Sequence, residues 1–242
     1  VDVARSAKTS NNASAIVVVR VRRDAKERVR ELQAVNVVKL PNGLNFKQQT
    51  VICKQMCALY NAKAIVIDIN GLGKGLLDYM LDRNILDNGT ELEPYDMLDT
   101  DYRSDYRDAK KLVYGIEAQK NNSEMITNFI NVVEGSILRI LEHFDVNKAL
   151  DIPDEDFMVS DVLPFLRTEN FISEVQNITV ETIPGTGKLK IGQVVRADKD
   201  IYSAMIQVCW YVMTFCNDAL PDEDEDFASF FSGFISQPKI KR

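Results

Sequence analysis

The chain has 242 residues, of which 45% are hydrophobic, enough for one large α/β domain or two small ones with a buried core. No apolar run approaches the roughly 18 to 20 residues of a membrane span, and no basic-then-apolar leader opens the sequence, so an intracellular protein is expected. The formal charge of −7 argues against a domain that grips nucleic acid tightly by itself, because such binding is dominated by phosphate neutralisation.

In chain order, Val1 to Ala4, Ser14 to Arg22 and Leu32 to Leu40 are short runs rich in β-branched or apolar residues, and they predict a three-stranded antiparallel meander. The opening Val1-Asp2-Val3-Ala4, without an initiator Met, has the look of a strand interior, so the chain is expected to be part of a longer polypeptide. Phe46, Val51, Ile52, Met56, Leu59 and Tyr60 fall near helical spacing within 45–60. Ala64 to Ile69 is an almost unbroken apolar run interrupted by one acid, the pattern of a central parallel strand buried on both faces. Asn70-Gly71 ends it, and Leu76, Leu77, Met80 and Leu81 form the inner face of a second helix.

From Asp87 to Gln119 the sequence is polar and aperiodic, which predicts mostly loop with a strand near Leu112 to Ile116. Ser123 is the expected N-cap of a helix reaching Val133, and Ile137 to Leu141 is open between strand and helix. Ile178 to Ile183 and Lys188 to Gln193 flank Pro184-Gly185-Thr186-Gly187, a hairpin pattern. A long apolar helix is expected over Asp200 to Asn217. The remaining 219–242 form an acidic tail with Asp222-Glu223-Asp224-Glu225-Asp226, in which Phe227, Phe230, Phe231 and Phe234 outline an apolar helix face. A single domain over 1–218 is expected.

Four cysteines, Cys53, Cys57, Cys209 and Cys216, sit in apolar helical stretches and read as buried thiols rather than as zinc ligands or disulfides. The lone His143 has no Cys or second His nearby and reads as structural. Acids concentrate in the tail and at Asp151 to Asp156, whereas Arg20, Arg22, Arg23, Lys26, Arg28 and Arg30 make one segment locally basic.

Three acids occupy informative places: Asp2 on the first strand, Asp68 at the end of the buried strand and Asp200 at the head of the last helix. Singly, each has an ordinary explanation as a turn acid or an N-cap. A carboxylate ending a buried strand is costly unless paired or metal-bound, and three converging carboxylates are naturally balanced by hard divalent cations. Two Mg²⁺ or Mn²⁺ ions in such a site would support hydrolysis of a phosphodiester. Asp198, two residues from Asp200, is an alternative or additional third ligand. The glycines after Asp68 and those around Pro184 lack the GxxxxGK[ST] pattern of a nucleotide loop.

Three motifs resemble those of a known family. Ile65-Val66-Ile67-Asp68-Ile69-Asn70-Gly71-Leu72-Gly73-Lys74-Gly75 is similar to the second acidic motif of the nuclease domains of phage terminase large subunits. Asp2-Val3-Ala4-Arg5-Ser6 followed by Ser14-Ala15-Ile16-Val17 resembles the first, and Lys199-Asp200-Ile201-Tyr202-Ser203-Ala204 the last. Asp2 has one residue before it, and the following loop has Ser and Asn where the family often has Gly. The resemblance implies an α/β, RNase H-like fold built on a mixed five-stranded sheet, three antiparallel strands and then parallel ones, flanked by helices. It also implies a divalent-metal-dependent DNA endonuclease that cuts double-stranded DNA with little sequence preference, with Asp2, Asp68 and Asp200 as catalytic metal ligands. The implied partners are duplex DNA, an upstream ATPase motor of the same polypeptide, the viral portal and the small terminase subunit, in the host cytoplasm. Lys74, at a helix N-terminus, and Lys188 and Lys190, on the hairpin, are the DNA-contact expectations. Two other readings stand beside this one: a junction resolvase or recombinase nuclease of the same fold, and a non-enzymatic acidic interaction module.

Overall fold

The computed structural model describes residues 1–4, 13–99, 103–143 and 159–217. The tail expected over 219–242, with its acidic run and phenylalanines, and the acidic stretch at 151–156 lie outside the described residues.

The first regular element is a long antiparallel hairpin of β1 (Ala15–Arg23) and β2 (Val29–Lys39). Val17, Val19 and Val21 alternate onto one face with Leu32, Ala34 and Val37, and that face enters the larger of two apolar cores. Next, α1 (Phe46–Leu59) starts at a capping box, in which the Asn45 side chain accepts the Gln48 N–H and Gln48 accepts the N–H of Asn45. Then β3 (Ile65–Asp68) places Val66 in the larger core and Ile65 and Ile67 in the second, so it is buried on both faces as its composition predicts.

A tight turn follows. Gly71 has φ +57, and a Cβ on Gly73 would lie 1.5 Å from the Asp68 carbonyl oxygen, so α2 (Gly73–Leu81) can begin this close to the strand only with glycine there.

The stretch expected to be mostly loop carries several strands. After β4 (Asn84–Ile85) come β5 (Glu91–Leu92), β6 (Tyr95–Met97) and β7 (Lys110–Ile116). Next, α3 (Ala118–Glu134) begins five residues ahead of Ser123, which is therefore not its N-cap. Ser123 Oγ instead accepts the Leu189 N–H at 2.9 Å. The segment left open resolves as a two-residue strand, β8 (Leu138–Arg139), parallel to β2.

Unanticipated is α4 (Val159–Gln176), whose internal Pro164 conceals a helix in the sequence. The Thr168 hydroxyl donates to the carbonyl of Pro164 at 2.8 Å. The expected hairpin is β9 (Ile178–Thr182) with β10 (Leu189–Gln193), and α5 (Asp200–Phe215) closes the described chain.

The expected RNase H-like five-stranded mixed sheet is not formed. The strands fall into four small sheets, ordered β1-β2-β8, β3-β7-β6, β9-β10 and β4-β5. The residues expected to be the first strand are the cause. Only an isolated bridge, Asp2 opposite Ala15, joins them to β1. On their other side the Val1 nitrogen donates to the Val66 carbonyl at 2.6 Å, and the Asp68 N–H reaches the Val1 carbonyl at 3.5 Å. With one bridge on one side and two backbone bonds on the other, the segment stitches two sheets together without merging them.

Helices α4 and α5 pack on the inner face of β1 and β2, and α3 packs against α5, with the β9–β10 hairpin lying against α3. The second core gathers α1, α2 and the β3-β7-β6 sheet around Cys53, Leu76, Met80 and Leu112. Cys53, Cys57, Cys209 and Cys216 form no disulfide among the described residues, the first three being buried and Cys216 half-buried. Among the described residues no helix is long and apolar enough to cross a membrane.

Candidate active site

The segment Val1–Ala4 is held by side chains as well as by its strand-like bonds. Ser14 Oγ accepts the Ala4 N–H at 2.8 Å and donates to Gln49 Oε1 at 2.7 Å, while the Gln49 amide donates to the carbonyls of Ala4 and Leu44 at 2.9 Å each. Both side chains are buried and their bonds satisfied, so they fix where Asp2 stands.

Asp68 ends β3 half-buried. Its Oδ1 accepts the backbone and side-chain N–H groups of Asn70 at 3.0 and 2.9 Å and the Ala118 N–H at 3.3 Å. The Asn of the Asn-Gly turn thus orients this carboxylate, and Oδ2 has no hydrogen-bond partner among the described residues.

Asp200, the first residue of α5, is fully buried. Its Oδ2 accepts the Ala13 N–H at 2.9 Å and lies 3.6 Å from the Lys39 ammonium, whereas Oδ1 has no partner. The three acids therefore come from three distant segments fastened to one another: Asp2 pairs with Ala15, Asp68 bonds back to Val1, and Asp200 bonds Ala13 just ahead of β1.

The charges register this proximity. Burial and then the Asp200 carboxylate push Asp2 up to about 7, with Asp68 adding to the rise and Lys199 opposing it. Burial also raises Asp200, against the Ala13 N–H and the Lys39 charge.

Two members of the site have no signal in the sequence. Lys39, at the end of β2, donates to Asp198 at 2.6 Å and faces Asp200, so a cation does stand among these acids. Asp198 is half exposed and directed to Lys39, not into the buried part of the site. Glu174, on α4, is 7% exposed, and its Oε2 accepts the Tyr202 N–H at 2.8 Å, holding the first turn of α5. Burial pushes Glu174 up to about 7, against the Tyr202 N–H and with the Asp200 charge assisting. Glu is ordinarily a surface residue, and nothing in the sequence around this one marks it as buried.

An all-oxygen set with an unpartnered buried carboxylate oxygen has the donor chemistry of a Mg²⁺ or Mn²⁺ site. As they stand, however, no three Asp, Glu, His or Cys side chains among the described residues are arranged to hold an ion. Ion binding would have to draw the carboxylates closer together.

The expected DNA lysines lie outside this cluster. Lys74 is exposed in the first turn of α2, Lys188 is exposed beside the β9–β10 turn, and Lys190 pairs with Glu181 at 2.9 Å. His143 is a surface residue with Nδ1 2.7 Å from Glu169.

No protein-family model matches the chain, and comparison with curated proteins and with solved structures finds no similar protein in either.

Proposed function

We propose that the chain is a divalent-metal-dependent DNA endonuclease of the kind found in terminase large subunits, hydrolysing phosphodiester bonds of duplex DNA with little sequence preference. The observation that carries this reading is the joining of Asp2, Asp68 and Asp200, 198 residues apart at the extremes, through backbone bonds that tie their segments into one locality. A fold gains nothing in stability by assembling like charges around a buried carboxylate with an unsatisfied oxygen, so the arrangement calls for a ligand.

In this reading the three aspartates are the metal ligands, with Asn70 orienting Asp68 and Glu174 holding the helix terminus that presents Asp200. Lys39 balances part of the negative charge. When bound, two Mg²⁺ or Mn²⁺ ions would activate a water molecule and stabilise the leaving oxygen. The terminase assignment, with its motor, portal and small-subunit partners, rests on the three sequence motifs.

The test is conversion of supercoiled plasmid to open-circular and linear forms in low salt, with Mn²⁺, Mg²⁺ or EDTA, beside Asp68→Asn and Asp200→Asn. Cutting that needs the metal and disappears in both variants is the expected result. Absence of cutting, together with no Mn²⁺ binding by calorimetry, would move the assignment to a non-enzymatic acidic module.

A further inference from the structure

We propose that the outer face of the β1–β2 hairpin, centred on Arg20, Arg22 and Arg139, binds the phosphate backbone of duplex DNA. This deepens the nuclease reading by giving the same substrate a second point of contact, away from the acids.

The face is defined by strand register. Arg20 is paired with Gln33, and Gln33 with Arg139 on β8, so these three side chains form one row across the sheet. Arg22 and Glu31 are the next row on the same face, because residues two apart on a strand point the same way. The opposite face, with Val19, Val21, Leu32 and Ala34, is the one that enters the core. Arg20 is exposed, and the side chains of Arg22, Arg30 and Arg139 are about three-fifths exposed.

The charge there has the opposite sign to the chain. Six of the thirteen arginines, Arg20, Arg22, Arg23, Arg28, Arg30 and Arg139, lie on this hairpin and its β8 neighbour, together with Lys26. Only Asp24, Glu27 and Glu31 oppose them there, on a protein whose formal charge is −7. Two of the three carboxylates are shared: Glu31 meets Arg22 at 3.1 Å and Arg139 at 3.3 Å, and Asp24 meets Arg28 and Arg30 at 2.9 Å each, while Glu27 lies 4.0 Å from Arg23. The acids hold the guanidinium groups in place and leave a surplus of positive charge. Arg20 has no ion-pair partner among the described residues.

Predominance of Arg over Lys suits phosphate, since the planar guanidinium offers several N–H donors in a fixed fork. Arg22 and Arg139 each use one nitrogen on Glu31, which leaves the others for a ligand. The position suits a duplex as well. Asp2 pairs with Ala15 at one end of β1, and Arg22 is seven residues further along, roughly 23 Å at strand rise. That is less than the roughly 34 Å of one DNA turn, so one duplex can reach both.

The experiment is fluorescence anisotropy of a labelled duplex of about 30 base pairs with the full chain in EDTA, over a series of KCl concentrations. Three proteins are compared: the parent, Arg20→Ala/Arg22→Ala/Arg139→Ala, and a charge-matched control, Lys63→Ala/Arg103→Ala/Arg107→Ala. The arginine variant is expected to bind about tenfold or more weakly at low salt, with a salt slope shallower by about 2 to 3, one unit per lost phosphate contact. The control should stay within about twofold of the parent, and unchanged melting temperatures exclude misfolding. No duplex binding by the parent, equal binding by the arginine variant, or an equal loss in the control would overturn the proposal. Because the assay contains no metal, binding through this face without any cutting elsewhere would remove the nuclease reading and leave this surface standing.

Discussion

Two buried charges in this molecule are handled in opposite ways. Lys54, 2% exposed on α1, donates to the carbonyls of Asp82 and Glu93 at 2.6 and 2.8 Å, and its ammonium lies 5.3 Å from the centre of the Tyr95 ring. Asp200, equally buried, has one oxygen satisfied by Ala13 and Lys39 and the other by nothing. The first is a staple that fastens α1 to the segments after α2 and before β6. The second is a polar group left incomplete beside two more acids. A buried charge with its partners is architecture, and one without them points to something that binds.

The largest expected effect falls on the incomplete side. Asp200→Asn should lower metal-dependent cutting of plasmid by about 100-fold or more, since loss of a ligand forfeits several kcal/mol of transition-state stabilisation. Its melting temperature in EDTA should equal or exceed that of the parent, because the change removes a repulsive buried carboxylate. Calorimetry showing a large fall in stability would make Asp200 a second staple and erase the contrast.

Lys54→Ala should behave in the reverse sense. It leaves two carbonyls unpartnered and opens a void, at a cost of about 2 to 4 kcal/mol, or roughly 10 °C in melting temperature. Cutting per folded molecule should be unchanged. A neutral outcome for stability would show that the Lys54 bonds only offset their own desolvation.

Between these extremes lies Gln49→Ala, which frees the segment carrying Asp2 from α1. A loss of about 1 to 2 kcal/mol is expected, accompanied by a higher Mn²⁺ requirement for cutting that Lys54→Ala would not share. Titration with Mn²⁺ at fixed DNA separates the two variants.

The smallest effect is one of pH. Asp2 and Glu174 are both raised to about 7, so the folded protein holds their protons more tightly than the unfolded chain does. Their contribution is therefore fully present below about pH 4 and is lost as pH rises toward 7. In EDTA, scanning calorimetry from pH 5.5 to 8 should show this part of the stability declining by a few degrees. Asp2→Asn combined with Glu174→Gln should flatten the decline, and saturating Mn²⁺ should oppose it at pH 8.

Much of the local structure is legible from periodicity and turn chemistry. The doubly buried β3, the Pro184-Gly185-Thr186-Gly187 hairpin and the helix beginning at Asp200 appear where apolar spacing and Gly place them. Over 87–119 the strand expected near Leu112 to Ile116 is present as β7, whereas β5 and β6 escape notice because they are two and three residues long, too short for alternation to show. Ser123 has the composition of an N-cap but serves as an acceptor for Leu189, 66 residues away, a partner that no local window contains.

The sequence alone determined which residues seek burial, where the chain turns, and that Asp2, Asp68 and Asp200 interrupt apolar elements, since these follow from side-chain chemistry over a few neighbouring residues. Only tertiary structure decided that the first four residues stitch two sheets instead of completing one. It alone brought Lys39 and Glu174 to Asp200 and set Arg20 and Arg139 in one row. Register, partner and desolvation are relations between segments far apart in the chain, and the energies that select them arise only once those segments are packed together.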